Sequence, residues 1–384
     1  VERGAGDTPG AAGGASSTRV FISAGESSGD RHAARVAEEL AARRPDLRMV
    51  GLGGPTMAEA GVELLAGLEN LAVMGYAEVA RRLPFFAALR RRVWRVLEEG
   101  DVDLVLPVDY PGFNLPLARK AHALGIPVLY FIAPQVWAWR EGRARHLARA
   151  CDRVLTVLPF EERRLAEHGV DARFVGHPLL DEPRRPAAGA SNPRPGHRGP
   201  VLGLFPGSRA QEVERMLPPF AAAARRLAAT RAGLDILVAR PAHLPRSLYE
   251  RFGFEEVEAD EALDRATVAL AKSGTITLEL ALAGIPMVVG YRTSRLTYSL
   301  ARRVVRVPSI ALVNLVAGER IVPELIQDAL TPAALAAAAA PLLDADAPPA
   351  RRMREGLTAV RARLGEPGCA RRVAGHALEL LDGR

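Results

Sequence analysis

The chain is 384 residues long, beyond the size at which one hydrophobic core keeps growing, and at 48% hydrophobic it can fill two domains of roughly 150–200 residues each. Its formal charge of +7 favours anionic partners, although Lys120 and Lys272 are the only lysines and a biased arginine-rich composition produces the same balance. Cys151 and Cys369 are too few for a disulfide framework, no Cys/His cluster has zinc spacing, no apolar run reaches the ~20 residues of a spanning helix, and no signal-peptide pattern is present; the expectation is a soluble protein of a reducing cytosol.

Residues 1–18, rich in Gly, Ala, Ser and Thr, carry no apolar periodicity and read as a disordered extension. Over 19–180, short apolar runs at 20–24, 48–52, 104–108, 128–132, 154–157 and 172–175 alternate with amphipathic stretches. That alternation predicts a parallel sheet with helices on both faces. Residues 181–200, dense in Pro, Gly and charge, read as a linker. Runs at 201–205, 235–239, 268–270 and 286–289 restart the alternation in a second domain over 201–365. Beyond Pro332 only helices are expected, the last within 366–384. The fold class is α/β, with two Rossmann-like domains.

In open parallel sheets, ligands bind outside the carboxyl ends of the strands, so the loops that follow strands carry the candidate sites. The first strand runs into Ala24–Asp30, AGESSGD, a small-residue loop that opens a helix and could receive an anion on free N–H groups, or simply turn. GxGxxG is absent there, and Gly51-Leu52-Gly53-Gly54 lacks its third glycine, which removes the support for a dinucleotide-dependent oxidoreductase. After the run at 104–108, Asp109 stands before a proline-stiffened turn, either as a general base or as a helix cap. Trp137 and Trp139 share one loop, where a sugar, an acyl chain or ordinary core packing would cover them.

In the second half, the run at 201–205 leads into Pro206-Gly207-Ser208-Arg209, with Glu212 one turn into a helix. Glycine permits close backbone approach there, Ser208 can cap, and the Arg209 guanidinium can fork onto a diphosphate. The segment Lys272-Ser273-Gly274-Thr275 also opens a helix. Phosphate could sit on the N–H groups near Gly274 and Thr275, while Glu279 could accept from ribose hydroxyls. Two DxD spellings, Asp101/Asp103 and Asp344/Asp346, lie away from strand carboxyl ends and read as solvated turns, so no metal and no cofactor are expected.

Taken together, AGESSGD, GxGGPxM (51–57), LAVMGYAEV (71–79), VDYPGFN (108–114), QVWAWR (135–140), LPFE (158–161), FVGHP (174–178), FPGSRxxEV (205–213), SGTxTLE (273–279), PMVVGYR (286–292), NLVAGE (314–319) and VPELIQ (322–327) resemble, in order and spacing, the lipid-A-disaccharide synthases. Those enzymes have the two-domain GT-B fold, whose parallel sheets face each other across a cleft. Ala33 and Lys272 depart from the common pattern. The resemblance implies an inverting, metal-independent transfer from UDP-2,3-diacylglucosamine to 2,3-diacylglucosamine 1-phosphate in lipid A biosynthesis. It gives Asp109 the role of base, with His32 in reserve. It puts Gly207, Ser208, Arg209, Ser273, Gly274, Thr275, Glu279, Asn314 and Gln327 on the UDP-sugar, and Ser28, Gly29, Asp30, Trp137 and Trp139 on the acceptor. It also implies a last helix that packs back toward the first domain, allows a homodimer, and places the protein at the cytoplasmic face of a Gram-negative inner membrane. Another GT-B enzyme acting on UDP-N-acetylglucosamine (a muramyl-lipid transferase or a 2-epimerase) is the alternative, ahead of a noncatalytic nucleotide-sugar-binding protein; no nucleic-acid-reading motif is present.

The segment 83–97, LPFFAALRRRVWRVL, gathers Phe86, Leu89, Val93, Trp94 and Leu97 near one helical face, with arginines mostly elsewhere. It reads either as a surface helix that buries this face or as a basic amphipathic helix in the headgroup layer. In the second reading Phe85, Phe86 and Trp94 meet lipid, and Arg90, Arg91 and Arg92 draw the surface to anionic membrane.

Overall fold

The computed structural model describes residues 18–68, 76–134, 144–182, 199–295, 297–299 and 307–383, with 76–83 as backbone only. The extension before Thr18, most of the linker, and Trp137 and Trp139 lie outside the described residues.

The first sheet has seven strands: β1 (Arg19–Ala24), β2 (Arg48–Gly53), β3 (Glu63–Gly67), β4 (Leu104–Val108), β5 (Leu129–Phe131), β6 (Arg153–Thr156) and β7 (Ala172–Phe174). Their spatial order is β3-β2-β1-β4-β5-β6-β7, with parallel pairing in the registers Val20↔Met49 and Val20↔Leu104 on the two sides of β1. Val20, Phe21, Ile22, Leu104, Val105 and Leu106 are fully buried, as strands covered on both faces require. The helices are α1 (Ser27–Arg43), α2 (Pro55–Glu59), α3 (Tyr76–Glu98), α4 (Pro111–Ala123), α5 (Ala144–Ala148) and α6 (Glu161–Ala166).

The second sheet holds β8 (Val201–Phe205), β9 (Asp235–Ala239), β10 (Glu255–Val257), β11 (Val268–Lys272), β12 (Met287–Tyr291) and β13 (Glu324–Ile326), in the order β10-β9-β8-β11-β12-β13, again parallel. Its helices are α7 (Ala210–Ala228), α8 (Ala259–Arg265), α9 (Ile276–Leu282) and α10 (Leu312–Ala317); α11 (Pro332–Ala339), α12 (Pro348–Arg363) and α13 (Cys369–Asp382) then close the chain.

Contacts divide the chain into two compact units. One comprises Val1–Pro134, Leu147–Leu155 and Ala370–Arg384, and the other Gln135–His146 and Thr156–Cys369. Nearly all of α13 therefore belongs with the first unit, where Glu379 pairs with Arg153 at 2.6 Å and Asp382 with Arg44 at 3.0 Å. The first DxD pair is used within the fold: Asp103 accepts from the Arg19 N–H at 2.8 Å and Asp101 lies 3.6 Å from the Arg19 guanidinium, fixing the start of β1. In the second pair, the Asp344 carboxylate accepts from the Asp346 N–H at 3.0 Å.

Three strands escape the periodicity: β3, β10 and β13. Each is short, begins with glutamate and lies at a sheet edge. An edge strand pairs on one side only and carries charge without penalty, so the continuous apolar run that betrays a central strand is missing.

Helix α3 buries most of the face for which the sequence left two readings open. Leu89, Val93 and Leu97 are buried, so this i, i+4, i+8 line belongs to the core. Phe85, Phe86 and Trp94 are half-buried, while Arg90, Arg91 and Arg92 are exposed. The Phe85 and Phe86 rings meet edge-on at 5.6 Å, Arg90 lies 4.7 Å over the Trp94 ring, and Arg92 donates to the Leu65 carbonyl at 3.0 Å. Of the predicted apolar face, only Phe86 and Trp94 retain an outward part.

Candidate functional site

In each sheet the strand order reverses once, between β1 and β4 and between β8 and β11. At such a switch point the two following loops diverge to opposite faces and leave a crevice. The loops at these points are Gly25–Ser28 with Asp109-Tyr110 in the first unit, and Pro206–Arg209 with Ser273–Thr275 in the second.

In the first crevice, Asp109 and Tyr110 both have φ of 47°, in the left-handed region. Non-glycine residues pay ~1–2 kcal/mol each for that backbone. Hydrogen bonds from both sides hold the turn. Tyr130 Oη and Asn114 Nδ2 donate to the Asp109 carbonyl at 2.7 and 2.8 Å, the Asp109 N–H donates to Phe131 O at 2.9 Å, and the Asn114 N–H donates to Tyr110 O at 3.1 Å. At ~1 kcal/mol apiece they offset the strain. Asn114 is itself fixed: it is buried, its Oδ1 accepts from Ser23 Oγ at 2.7 Å, and its Nδ2 also donates to Ser23 O and Val108 O. Gly25 completes the fit, since a Cβ at that position would stand 2.2 Å from the Tyr110 ring.

This turn leaves the Asp109 side chain half-buried beside the loop that carries Glu26. Burial, and next the Glu26 carboxylate, push its carboxyl up to about 6, against the opposing hydrogen bond from the Tyr110 N–H. The same two causes raise the Tyr110 phenol. A carboxyl poised near neutrality is what proton abstraction at physiological pH needs. Asp109 does not cap α4; the N-cap residue is Tyr110 and no side chain caps there. Ser28 is exposed at the start of α1, whereas Gly29 is buried, and a Cβ there would touch Ala24 and the Val108 carbonyl. Asp30 is spent inside the fold: its carboxylate accepts from the N–H groups of Gly54, Thr56 and Met57 at 2.6, 3.2 and 3.2 Å and so caps α2.

In the second crevice, Gly207 has φ of +122° and a Cβ there would collide with Glu212. Sequence reading noted Glu212 without a role; the structure makes it the hub. Its Oε2 accepts from the Ser208 N–H at 3.1 Å, and its Oε1 lies 2.9 Å from Lys272 Nζ and 3.9 Å from Arg209. The departure at Lys272 therefore supplies a counter-ion to Glu212 and sits 5.9 Å over the Tyr291 ring. Arg209 remains more than half exposed at the carboxyl end of β8. His243, after β9, hydrogen-bonds the Ser208 carbonyl through Nε2 at 3.1 Å.

Ser273 Oγ donates to Ile310 O at 2.7 Å, and Thr277 Oγ1 donates to Gly274 O at 2.8 Å, shaping the turn in which Thr275 is exposed. Glu279 is partly exposed on α9. Asn314 and Gln327 face inward. The Asn314 amide donates to Val322 O and Glu324 and accepts from the N–H groups of Ile321 and Val322. Gln327, at φ 54°, brackets the Thr293 backbone, accepting from its N–H at 2.9 Å and donating to its carbonyl at 3.1 Å. Both amides hold loops in place.

The chain was compared with known proteins. Residues 20–371 match the model of the lipid-A-disaccharide synthetase family. The lipid-A-disaccharide synthase of Myxococcus xanthus is 41% identical over 374 residues, covering 94% of this chain and 97% of that protein. That of Geobacter sulfurreducens is 40% identical, covering 95% and 98%. Among solved structures, the UDP-GlcNAc 2-epimerase of Neisseria meningitidis bound to UDP-GlcNAc superposes with a TM-score of 0.61 at 11% identity, over 94% of this chain and 100% of that one. The glycotransferase of kitacinnamycin gives 0.61 at 18%, over 95% and 99%. These structural likenesses establish the GT-B fold, and the family match with the 40–41% identities establishes membership: the chain belongs to the lipid-A-disaccharide synthase family.

Proposed function

We propose that the chain joins UDP-2,3-diacylglucosamine to 2,3-diacylglucosamine 1-phosphate, giving the β-1,6-linked disaccharide 1-phosphate and UDP. Membership of the family carries the choice of substrates, and the geometry that carries the chemistry is Asp109, a carboxyl pushed up to about 6 in a strained turn at the switch point of the first sheet. In the reaction Asp109 takes the proton of the acceptor 6-hydroxyl as that oxygen attacks the anomeric carbon in line, and the bond to UDP breaks with inversion. Arg209 and the N–H groups of Gly274 and Thr275 receive the diphosphate, whose charge grows as it leaves, and Glu279 accepts from the ribose. With positive charge supplied by Arg209, no divalent ion is required in this scheme.

Turnover by the purified protein in EDTA, read by mass spectrometry, is expected to yield disaccharide 1-phosphate and UDP in equal amounts. Recovery of lost activity by magnesium or manganese contradicts the metal-free scheme, and absence of the disaccharide contradicts the reaction.

Both substrates carry acyl chains, and among the described residues no helix is long and apolar enough to cross a membrane. We propose a peripheral contact along the middle of α3, where Phe85 and Phe86 are half-buried and Arg90 and Arg91 are exposed. Interfacial basic residues add ~1 kcal/mol each on an anionic surface. Flotation with vesicles of phosphatidylglycerol is expected to exceed that with phosphatidylcholine, to fall with salt, and to drop several-fold in Phe85→Ser/Phe86→Ser/Arg91→Ala. Equal flotation of that folded variant rules this surface out.

A further inference from the structure

The backbone of the Asp109 turn is held from two other elements, and one holder has no role in any motif considered above. Tyr130 lies in the middle of β5, 0% exposed, and its hydroxyl donates to the Asp109 carbonyl at 2.7 Å. Its phenol is pushed well above its usual range by burial and next by the Asp109 charge, so it keeps its proton and stays a donor throughout the working range. Asn114 shares that carbonyl at 2.8 Å but also serves Ser23 O and Val108 O, so its amide hydrogens are divided among three acceptors. Tyr130 is the donor dedicated to the turn. A carbonyl gripped from β5 cannot rotate, and with it the peptide joining Asp109 to Tyr110 is fixed in the left-handed conformation.

That peptide sets two things at once. It aims the Asp109 carboxylate, and it brings the Tyr110 ring against Gly25, the residue that begins the loop carrying Glu26. We propose that Tyr130 is a positioning residue of the transfer reaction: by holding the Asp109 carbonyl it keeps the strained Asp109-Tyr110 turn formed and the carboxylate in place to take the acceptor's proton. The inference rests on the reading of Asp109 as the base. It adds a residue from the strand core that acts through its hydroxyl, beside the Asn114 amide that shares the same carbonyl.

The one charged group that acts on Asp109 is Glu26, from the loop after β1, with the Tyr110 N–H as the opposing hydrogen bond; Tyr130, which keeps its proton, adds no charge, and its own phenol is raised by burial, then Asp109, then Cys151. Loss of the hydroxyl leaves the carbonyl to the shared Asn114 amide, so the turn loosens and the carboxylate gains access to water. The rate then falls through misplacement, for which a shift of about 1 Å costs up to ~10²-fold. The acidic inflection also moves to lower pH, because burial is the first cause of its elevation.

The test is Tyr130→Phe, which keeps the ring and the packing of β5. Measurements are kcat, KM for each lipid substrate, the pH dependence of kcat/KM, and the melting temperature, with Asp109→Asn alongside. The expected result is a kcat lowered ~10- to 100-fold, KM values within about twofold of the parent, and an inflection displaced below that of the parent. Parent-like kcat and inflection in folded Tyr130→Phe overturn the proposal. So does a lower kcat with an unmoved inflection and a lower melting temperature, which assigns Tyr130 to stability alone. Near-normal turnover in Asp109→Asn is a different failure: it removes the base, whatever Tyr130 does.

Discussion

Asp109→Asn is expected to reduce turnover ~10²- to 10⁴-fold, the usual worth of a positioned base, while making the fold more stable at neutral pH. The two effects have one origin. Burial and the Glu26 carboxylate raise the Asp109 carboxyl from an ordinary value near 3.8 to about 6. A carboxyl raised on folding contributes stability that is fully present below pH ~4 and is lost as pH climbs through 6, because the folded protein then carries an ionised group it solvates poorly. Asparagine removes that penalty. With the side chain partly in water, the gain at pH 8 is discounted to ~1 kcal/mol, or about 2–4 °C in melting temperature, and it vanishes near pH 4. Calorimetric melts across pH 4–8, paired with turnover, check both halves. A variant that loses activity and is less stable at every pH has lost structure, and the base assignment loses its support.

Arg209→Ala is expected to weaken UDP binding about tenfold, since charge-assisted hydrogen bonds contribute ~1.5–3 kcal/mol and an exposed guanidinium retains the lower part of that range. Arg209 lies at the carboxyl end of β8, and Glu212 takes its nearer charge from Lys272, at 2.9 Å against 3.9 Å for Arg209. The guanidinium is more than half exposed there, within the loop that would meet a diphosphate. Calorimetric titration with UDP at low and moderate salt reads the effect: the parent's affinity falls with ionic strength more steeply than the variant's. An unchanged dissociation constant assigns Arg209 a role away from the diphosphate.

The central architecture was open to sequence reading because buried parallel strands announce themselves. β4, β8 and β9 have the bounds that the apolar runs predict. The edge strands β3, β10 and β13 did not, for the reason that makes them edges. The crevice loops were legible through glycine and small residues at strand ends. What side chains do there was less so, because residue type does not reveal whether hydrogen-bonding capacity is spent within the fold. Asp30 and Asn314 look like ligands in a string of letters, yet the structure engages Asp30 with three N–H groups and Asn314 with four partners. Conversely, Tyr130 sits in an apolar run as an ordinary core aromatic, and only tertiary structure places its hydroxyl on the Asp109 carbonyl. Glu212 and Lys272 are 60 residues apart, so no local pattern joins them.

One half-buried carboxyl, in a strained turn and poised near neutrality, carries the chemistry, and the pH dependence of kcat/KM for the parent protein tests it most directly. With both lipid substrates supplied in mixed micelles, kcat/KM is predicted to rise with unit slope from pH 4.5, bend at a single inflection near 6 and level off by pH 7.5. A profile that is flat across this range, or that Asp109→Asn reproduces at full height, would contradict it.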